Sequence, residues 1–336
     1  MIGLGYWGQK VLRNLVTAVG VDRVVAVDNS LDRLSDTAKT YPGVGLSMDL
    51  DDALANAEVG AVIIATPVET HATLACKALR AGRHVLVEKP MAGSVREALE
   101  MAELAEARGL ALMVGHTFMF SPRIDLLGHY FESGHLGKVH YLTSSRLNLG
   151  LVRNDANVIW DLAPHDFSIM FHLLGEAPIS VQTSARSVLG ERPDVAFINL
   201  QFPSGIVASV TVSWLAPRKV RDLTIVGESR MVVYDDTQND EPIKVYDKGV
   251  VVPESAEFGE HQLTYRYGDT LVPHVSAAEP LGRQLVHFLE ACETGRPTRS
   301  DGWFGLRVVE ALEAADLSWQ LDGAPVNVSD YSRIAL

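Results

Sequence analysis

The chain has 336 residues, 47% of them apolar, and a formal charge of −13. That length accommodates two domains of ordinary size, each with a sizeable core. The charge argues against a nucleic acid or an anionic membrane surface as partner. No apolar run is long enough to span a bilayer. The two cysteines, Cys76 and Cys292, offer neither a disulfide framework nor metal-ligand spacing, so no metal is expected. With no secretory signal in the opening residues, the expected location is the cytoplasm.

Gly3, Gly5 and Gly8 fit G-x-G-x-x-G. The pattern has physical meaning only with a strand before it and a helix after it. The helix is credible, because residues 9–19 carry Val11, Leu12, Leu15, Val16 and Val19 at helical spacing. Its N-terminus directs free N–H groups and a positive dipole end at a pyrophosphate. The strand is harder to find. Only Met1 and Ile2 precede the first glycine, where a central strand takes about five residues. Two explanations are open, a truncated first strand or a start upstream of Met1, and the second is preferred.

A strand over residues 24–28 ends at Asp28, 20 positions beyond Gly8, where the dinucleotide fingerprint places an acid on the adenosine ribose. An acid repels a 2′-phosphate, so NAD is expected over NADP, with Arg33 pulling the other way. The competing reading makes Asp28 a turn residue in Asp28-Asn29-Ser30. Tyr41-Pro42-Gly43 is a turn, and residues 50–57 form a short helix. A buried parallel-type strand over 61–65 ends at Thr66-Pro67. A helix over 69–81 is closed by Gly82. The next strand, from His84, stops at Glu88-Lys89-Pro90, because proline cannot continue a central strand. Lys89 is thereby presented at a strand's carboxyl end, the side on which open α/β sheets bind ligands. A helix over 95–108 opens with Ser94 and Glu97 in a capping box, and a strand over 111–114 leads to Gly115-His116. Strands and helices that alternate without hairpins make a doubly wound parallel sheet.

After Ser121-Pro122 the rhythm changes. A helix over 124–132 and a strand over 139–146 precede a dense polar run containing Arg153, Asn154, Asn157, Trp160, Asp161 and His165. An apolar helix follows and ends at Gly175. Asp161 and His165 are four apart, so one helical turn puts both on one face. A carboxylate beside an imidazole raises its basicity and orients it, as a general base for an alcohol proton requires. The bland reading is an N-capping Asp161 and a satisfied, partly buried His165. Pro164 would have to lie in the first turn. Strands over 195–202 and 206–214, joined at Pro203-Ser204-Gly205, alternate apolar and polar residues, as a half-exposed antiparallel sheet does. Further strands lie over 220–226 and 230–234. Residues 250–277 show no periodicity and read as a long loop, and helices over 281–294 and 303–321 close the chain.

The order Gly3-x-Gly5-x-x-Gly8, Asp28, Ala65-Thr66-Pro67 with His71, Glu88-Lys89-Pro90 and Asp161-x-x-x-His165 resembles the Gfo/Idh/MocA oxidoreductase family. Phe288-Leu289-Glu290 and Gly295-Arg296-Pro297 match it too. The resemblance implies a Rossmann domain (residues 1–120) and a C-terminal α+β domain (residues 121–336) with a large, mostly antiparallel open sheet. The closing helices would pack back on the first domain. It implies Lys89, Asp161 and His165 as catalytic residues and a cis Lys89–Pro90 bond. It implies cofactor contacts from Gly3, Leu4, Gly5, Tyr6, Trp7, Gly8, Asp28, Asn29, Arg33, Thr66, Pro67, His71, Glu88 and Lys89. Substrate contacts are expected from His116, Phe118, Arg153, Asn157 and Trp160, against the alternative of a loop stabilised by its own polar groups. The chain departs from the family at Met119 and Phe120, where many relatives place an arginine or asparagine. The implied activity is NAD-dependent oxidation of a sugar, sugar nucleotide or cyclitol by a homodimer or homotetramer formed through the sheet. Glycoside cleavage by transient oxidation and non-catalytic cofactor sensing are the rivals.

Overall fold

The computed structural model describes residues 1–150, 156–251 and 264–328. They fall into two compact units: Met1–Ser121 with Ala278–Glu313, and Pro122–Ala277 with the segment from Ala314.

The first unit is built on α1 (Tyr6–Val19), β1 (Val25–Val27), α2 (Leu31–Thr40), β2 (Gly45–Ser47), α3 (Leu50–Ala55), β3 (Ala61–Ile64), α4 (His71–Arg80), β4 (His84–Glu88), α5 (Val95–Arg108) and β5 (Leu112–Gly115). β1 pairs with β2, and β3 with β4 and β5, all parallel. Ile2 joins the two pieces by pairing in parallel with both Val27 and Ile64. Its N–H donates to the Ile63 carbonyl at 2.7 Å, and its own carbonyl accepts from Ala65 N–H at 2.9 Å. On the other side Gly3 N–H donates to Val27 and Val27 N–H to Met1. The first strand is therefore short but hydrogen-bonded on both edges. The sheet order is β2, β1, the Ile2 segment, β3, β4, β5. Val11 and Leu12 of α1 are fully buried, as are Val85, Leu86 and Val87 of β4. Continuous apolar runs fit a sheet covered on both faces.

The second unit contains α6 (Pro122–Glu132), β6 (Val139–Leu149), α7 (Val158–Leu174), β7 (Ser180–Arg186), β8 (Val195–Gln201), β9 (Val207–Ser213), β10 (Leu215–Gly227), β11 (Met231–Asp235), β12 (Ile243–Val251) and β13 (Thr264–Leu271). The segment expected to be a loop from residue 250 thus contributes a strand. β13 pairs with β12 in an antiparallel ladder with a register shift between Tyr246 and Lys248, the kind of irregularity that hides a strand's period. The nine-stranded sheet runs β13-β12-β11-β10-β6-β9-β8-β7-β14, the last being Val326–Asn327. Every pair is antiparallel except β6 with β9. α7 packs on this sheet against β6, β8 and β9, whose Leu142, Ile198, Val210 and Val212 are buried. The other face carries Tyr141, Phe197 and Val207, all partly exposed.

α8 (Pro280–Thr294) belongs to the first unit, where it packs on α1. α9 (Gly302–Gln320) groups with the first unit through Glu313 and with the second beyond it. Among the described residues no helix is long and apolar enough to cross a membrane.

Candidate active site

The glycine turn has three distinct demands. Gly3 has φ +89°, and a Cβ there would stand 2.5 Å from the Ala65 carbonyl oxygen. A Cβ on Gly8 would stand 2.1 Å from the Gly3 carbonyl oxygen. Both positions are closed by backbone. Gly5 is different: a Cβ there meets nothing within 4 Å, so it opens space on the protein's surface rather than relieving a clash. Gly5 is also the N-cap of α1 and offers no side chain to the first-turn N–H groups. That is the arrangement a pyrophosphate requires: free donors, a helix N-terminus and close backbone approach. The turn fits NAD. Tyr6 is 82% exposed, with the Lys10 ammonium over its ring, and Trp7 is partly exposed.

Asp28 ends the first strand–helix–strand unit and is 6% exposed. Its Oδ2 accepts from Leu4 N–H at 2.7 Å and its Oδ1 from Ser30 N–H at 2.9 Å. It therefore fastens the glycine turn to the end of β1. A carboxylate retains acceptor capacity beyond two bonds, so the ribose role and this structural role coexist. The Arg33 guanidinium lies 3.5 Å from Asp28 Oδ2, and Asn29 is exposed beside it.

At the carboxyl ends of β3 and β4, Thr66 Oγ1 is 2.7 Å from Thr70 Oγ1, and Pro67 is exposed. His71 is one of the expected cofactor contacts. It is 1% exposed, and its two ring nitrogens lie 2.9 Å from the carbonyls of Pro90 and Thr66. It braces the Thr66 turn against the Lys89–Pro90 turn. Lys89–Pro90 is cis, as expected, and Lys89 is half-buried at the end of β4. Glu88 is 7% exposed, and burial pushes its carboxyl up to about 7. A hydrogen bond with the Trp7 side chain and the charge of Lys89 oppose that shift. Glu88 is the register partner of Gly115, and a Cβ on Gly115 would stand 2.9 Å from its carboxyl atoms. Only glycine leaves that seat free, a requirement not visible in the sequence.

His116 follows Gly115 and is 1% exposed. Burial first, and the Lys89 charge second, push its imidazole down to about 3, so it is neutral. Its ring meets Phe304 edge-on at 5.8 Å. Phe118 lies half-buried in the single turn Thr117–Phe120. Met119 and Phe120, where the chain departs from the family it resembles, are core residues. Their carbonyls are held by Arg299 (2.7 Å) and Arg283 (2.6 Å).

In the second unit α7 is continuous from Val158 to Leu174, so Asp161 and His165 share a face one turn apart. Pro164 is in the second turn rather than the first, and cannot donate to the Trp160 carbonyl. The N-cap is Asn157, not Asp161: its side-chain oxygen accepts from Trp160 N–H at 3.0 Å. Asn157 Nδ2 donates to Asp316 Oδ1 at 2.8 Å, and the Trp160 indole N–H donates to Asp316 Oδ2 at 2.7 Å. Both residues were expected at the substrate, against the alternative of polar groups that stabilise their own segment. Their polar groups tie the start of α7 to α9. Asp316 escaped sequence reasoning, because after Glu310 and Glu313 it reads as one more acid of a solvated helix face. Burial raises its pKa, against the two hydrogen bonds it accepts.

Asp161 is fixed by a residue from the sheet. The Trp214 indole N–H donates to its Oδ2 at 3.1 Å, and Trp214 is itself buried at the end of β9. On the next position after His165, Asp166 accepts from Arg146 Nε at 2.7 Å and from Ser144 Oγ at 2.6 Å, all three buried. Desolvation is the largest single influence on Arg146 and lowers its pKa, but Asp166, with Asp236 and Tyr234, together leave it above its ordinary value. His165 is half-buried between these two anchored acids in sequence. Arg153 and Asn154 lie outside the described residues.

Two family models match the chain. One, described as an oxidoreductase family with an NAD-binding Rossmann fold, covers residues 1–116, and the Gfo/Idh/MocA C-terminal domain covers residues 126–233. The UDP-N-acetylglucosamine 3-dehydrogenase of Acidithiobacillus ferrooxidans is 28% identical over 93% of both chains. The inositol 2-dehydrogenase of Rhizobium meliloti is 27% identical over 94% of both. The solved structure of the Acidithiobacillus enzyme superposes with a TM-score of 0.79 at 26% identity, covering 95% of this chain and 96% of that one. GenD2 from gentamicin A biosynthesis, solved in complex with NAD, gives a TM-score of 0.79 at 26% identity over 97% and 94%. With the glycine turn, the strand-end lysine and the α7 pair in place, the chain belongs to the Gfo/Idh/MocA family of NAD-dependent oxidoreductases.

Proposed function

We propose that this enzyme transfers hydride between NAD and a secondary hydroxyl, or the corresponding ketone, of a sugar, sugar nucleotide or cyclitol. The observation that carries the reading is α7: a continuous helix that sets Asp161 and His165 on one face, with Asp161 held by Trp214. The relatives named for sugar-nucleotide and inositol dehydrogenation support the substrate class.

The nicotinamide, when bound, supplies the hydride acceptor. The protein's task is the proton and the position of the reacting carbon. His165 takes the hydroxyl proton. Asp161 orients the imidazole and stabilises its charged form, and the Trp214 N–H fixes that carboxylate. Lys89, presented at the end of β4, hydrogen-bonds the same substrate oxygen. Gly3, Leu4, Gly5, Tyr6, Trp7 and Gly8 hold the pyrophosphate, Asp28 and Asn29 the ribose. His71 acts through the Thr66 and Lys89–Pro90 turns rather than by contact. Substrate contacts fall to His116, Phe118 and Arg153. The partly exposed sheet face at Tyr141, Phe197 and Val207 serves as the oligomer surface, and the enzyme works in the cytoplasm.

The test is reduced-cofactor absorbance with NAD, then NADP, against free sugars, cyclitols and nucleotide sugars. Reduction of NAD by one substrate class is expected, falling 10²–10⁴-fold, roughly, in His165→Ala and comparably in Lys89→Ala. Cofactor binding without reduction by any member of the panel would defeat the proposal.

A further inference from the structure

Glu88 is a buried acid that the proposed proton transfer does not use. It sits at the carboxyl end of β4, in the backbone space left by Gly115, and the side chain of Trp7, in the first turn of α1, is among the groups that hold its pKa down. Its Oε1 has no hydrogen-bond partner among the described residues. The carboxyl is thus seated between the phosphate turn and the strand end that presents Lys89, on the side of the sheet where the cofactor lies. We propose that Glu88 tells oxidised from reduced cofactor: its carboxyl is harder to ionise in the free enzyme than beside the positively charged nicotinamide of NAD⁺, so binding of the oxidised form alone releases proton to solvent. This inference rests on the assignment of the NAD site given above and deepens it.

The physical basis is charge balance. A buried carboxylate is costly even with the Lys89 charge beside it, and burial is what lifts Glu88 to about 7. A nearby cation favours the ionised form. NAD⁺ brings a cation on its ring and NADH does not, so only the oxidised cofactor draws the proton off. The titratable groups placed near Glu88 among the described residues are these. Lys89 follows it on the strand. His116 follows Gly115, and its imidazole is pushed down to about 3, so it does not titrate near neutrality. His71, which braces the Pro90 and Thr66 carbonyls, has its pKa lowered by burial. Trp7 contributes a neutral N–H.

The linkage has a defined sign. At pH 7 a group with a pKa near 7 is about half protonated, so NAD⁺ binding releases about half a proton. NAD⁺ affinity therefore rises about five- to tenfold from pH 6 to pH 8, while NADH affinity stays flat. The experiment is titration calorimetry of the full chain with NAD⁺ and with NADH at pH 7, in phosphate and in Tris. These buffers differ in ionisation enthalpy, so the difference in heat counts protons. Wild type, Glu88→Gln and Lys89→Met are compared. Release with NAD⁺ but not NADH, absent from Glu88→Gln and undiminished in Lys89→Met, is the expected result. Removing the Lys89 charge leaves Glu88 more fully protonated, so that variant does not release less. Equal release with both cofactors overturns the inference, even if Glu88→Gln fails to fold. Release that persists in Glu88→Gln overturns it too. NAD⁺ binding with no proton release sinks this inference alone. Failure of either cofactor to bind sinks the NAD-site assignment as well.

Discussion

In the first unit the phosphate turn is built from backbone. Gly3 and Gly8 are closed on by carbonyl oxygens, Ile2 pairs on both edges, and Asp28 fastens the turn through Leu4 N–H. In the second unit the Asp161–His165 face is held by side chains far apart in sequence. Trp214 reaches Asp161 across 53 residues, Asp316 reaches Trp160 across 156, and Arg146 clamps Asp166 from β6. A backbone site tolerates no added atom but is indifferent to side-chain identity nearby. A side-chain site tolerates reshaping but depends on each partner's charge and donors. Substitutions that separate these two sensitivities show whether the contrast is real.

The largest effects belong to the glycines. Gly8→Val forces a Cβ into the Gly3 carbonyl, a contact 2.1 Å long that only a backbone shift can relieve. We expect loss of the folded first unit's NAD site altogether, read as no cofactor-induced rise in Tm. Gly5→Ala is the sharpening control, because its Cβ meets nothing within 4 Å. That variant should keep the wild-type Tm without cofactor and lose NAD affinity. A matched fall in apo stability for both variants would break the distinction between closed and open glycines. In the second unit Arg146→Met leaves Asp166 buried without its cation. Removing one partner of a buried pair costs about 3–5 kcal/mol, measurable by urea denaturation. A cost near zero would mean that water reaches Asp166.

This same contrast explains what the amino-acid pattern could and could not disclose. Glycine spacing, strand-end Glu88-Lys89-Pro90 and the i,i+4 pair Asp161 and His165 are local, so the Rossmann architecture and the α7 face could be read directly. The short first strand looked defective because pairing on both edges cannot be seen from two residues; Ile2 supplies it through Ile63 and Ala65. Asn157 and Trp160 looked like ligand contacts because polar residues near a catalytic pattern invite that reading. Their partner, Asp316, lies in another helix. The strand Thr264–Leu271 was missed because its ladder is irregular and its flanks carry no period.

Next in size is a pH-dependent effect at Glu88. Its folded-state pKa of about 7 stands above the ordinary 4.5, so the folded chain binds more protons than the unfolded one between those values. Stability contributed by the protonated group is complete below pH 4.5 and is lost as pH rises to about 7. The loss amounts to at most about 3 kcal/mol, at 1.36 kcal/mol per pKa unit. Glu88→Gln cannot ionise and escapes it. The variant should match the wild type near pH 4 and exceed it by about 2–3 kcal/mol at pH 8, in paired denaturation curves. A constant offset at both pH values would show that Glu88 does not titrate in this range.

The smallest effect tests the side-chain half of the contrast without emptying the core. Asp316 accepts from two donors, Asn157 Nδ2 and the Trp160 indole. Asp316→Asn keeps the shape but supplies one acceptor oxygen and one amide that faces a donor. One of the two bonds must fail, at a cost of about 1–2 kcal/mol for a buried donor left unpaired. Because Asn157 caps α7, the loss should appear first at that helix's opening turn. Hydrogen exchange at Trp160 and Asp161 N–H should quicken, while exchange in α1 stays unchanged. If α1 quickened equally, the substitution would be weakening the whole protein, and the side-chain anchoring of α7 would not be local to the face that carries His165.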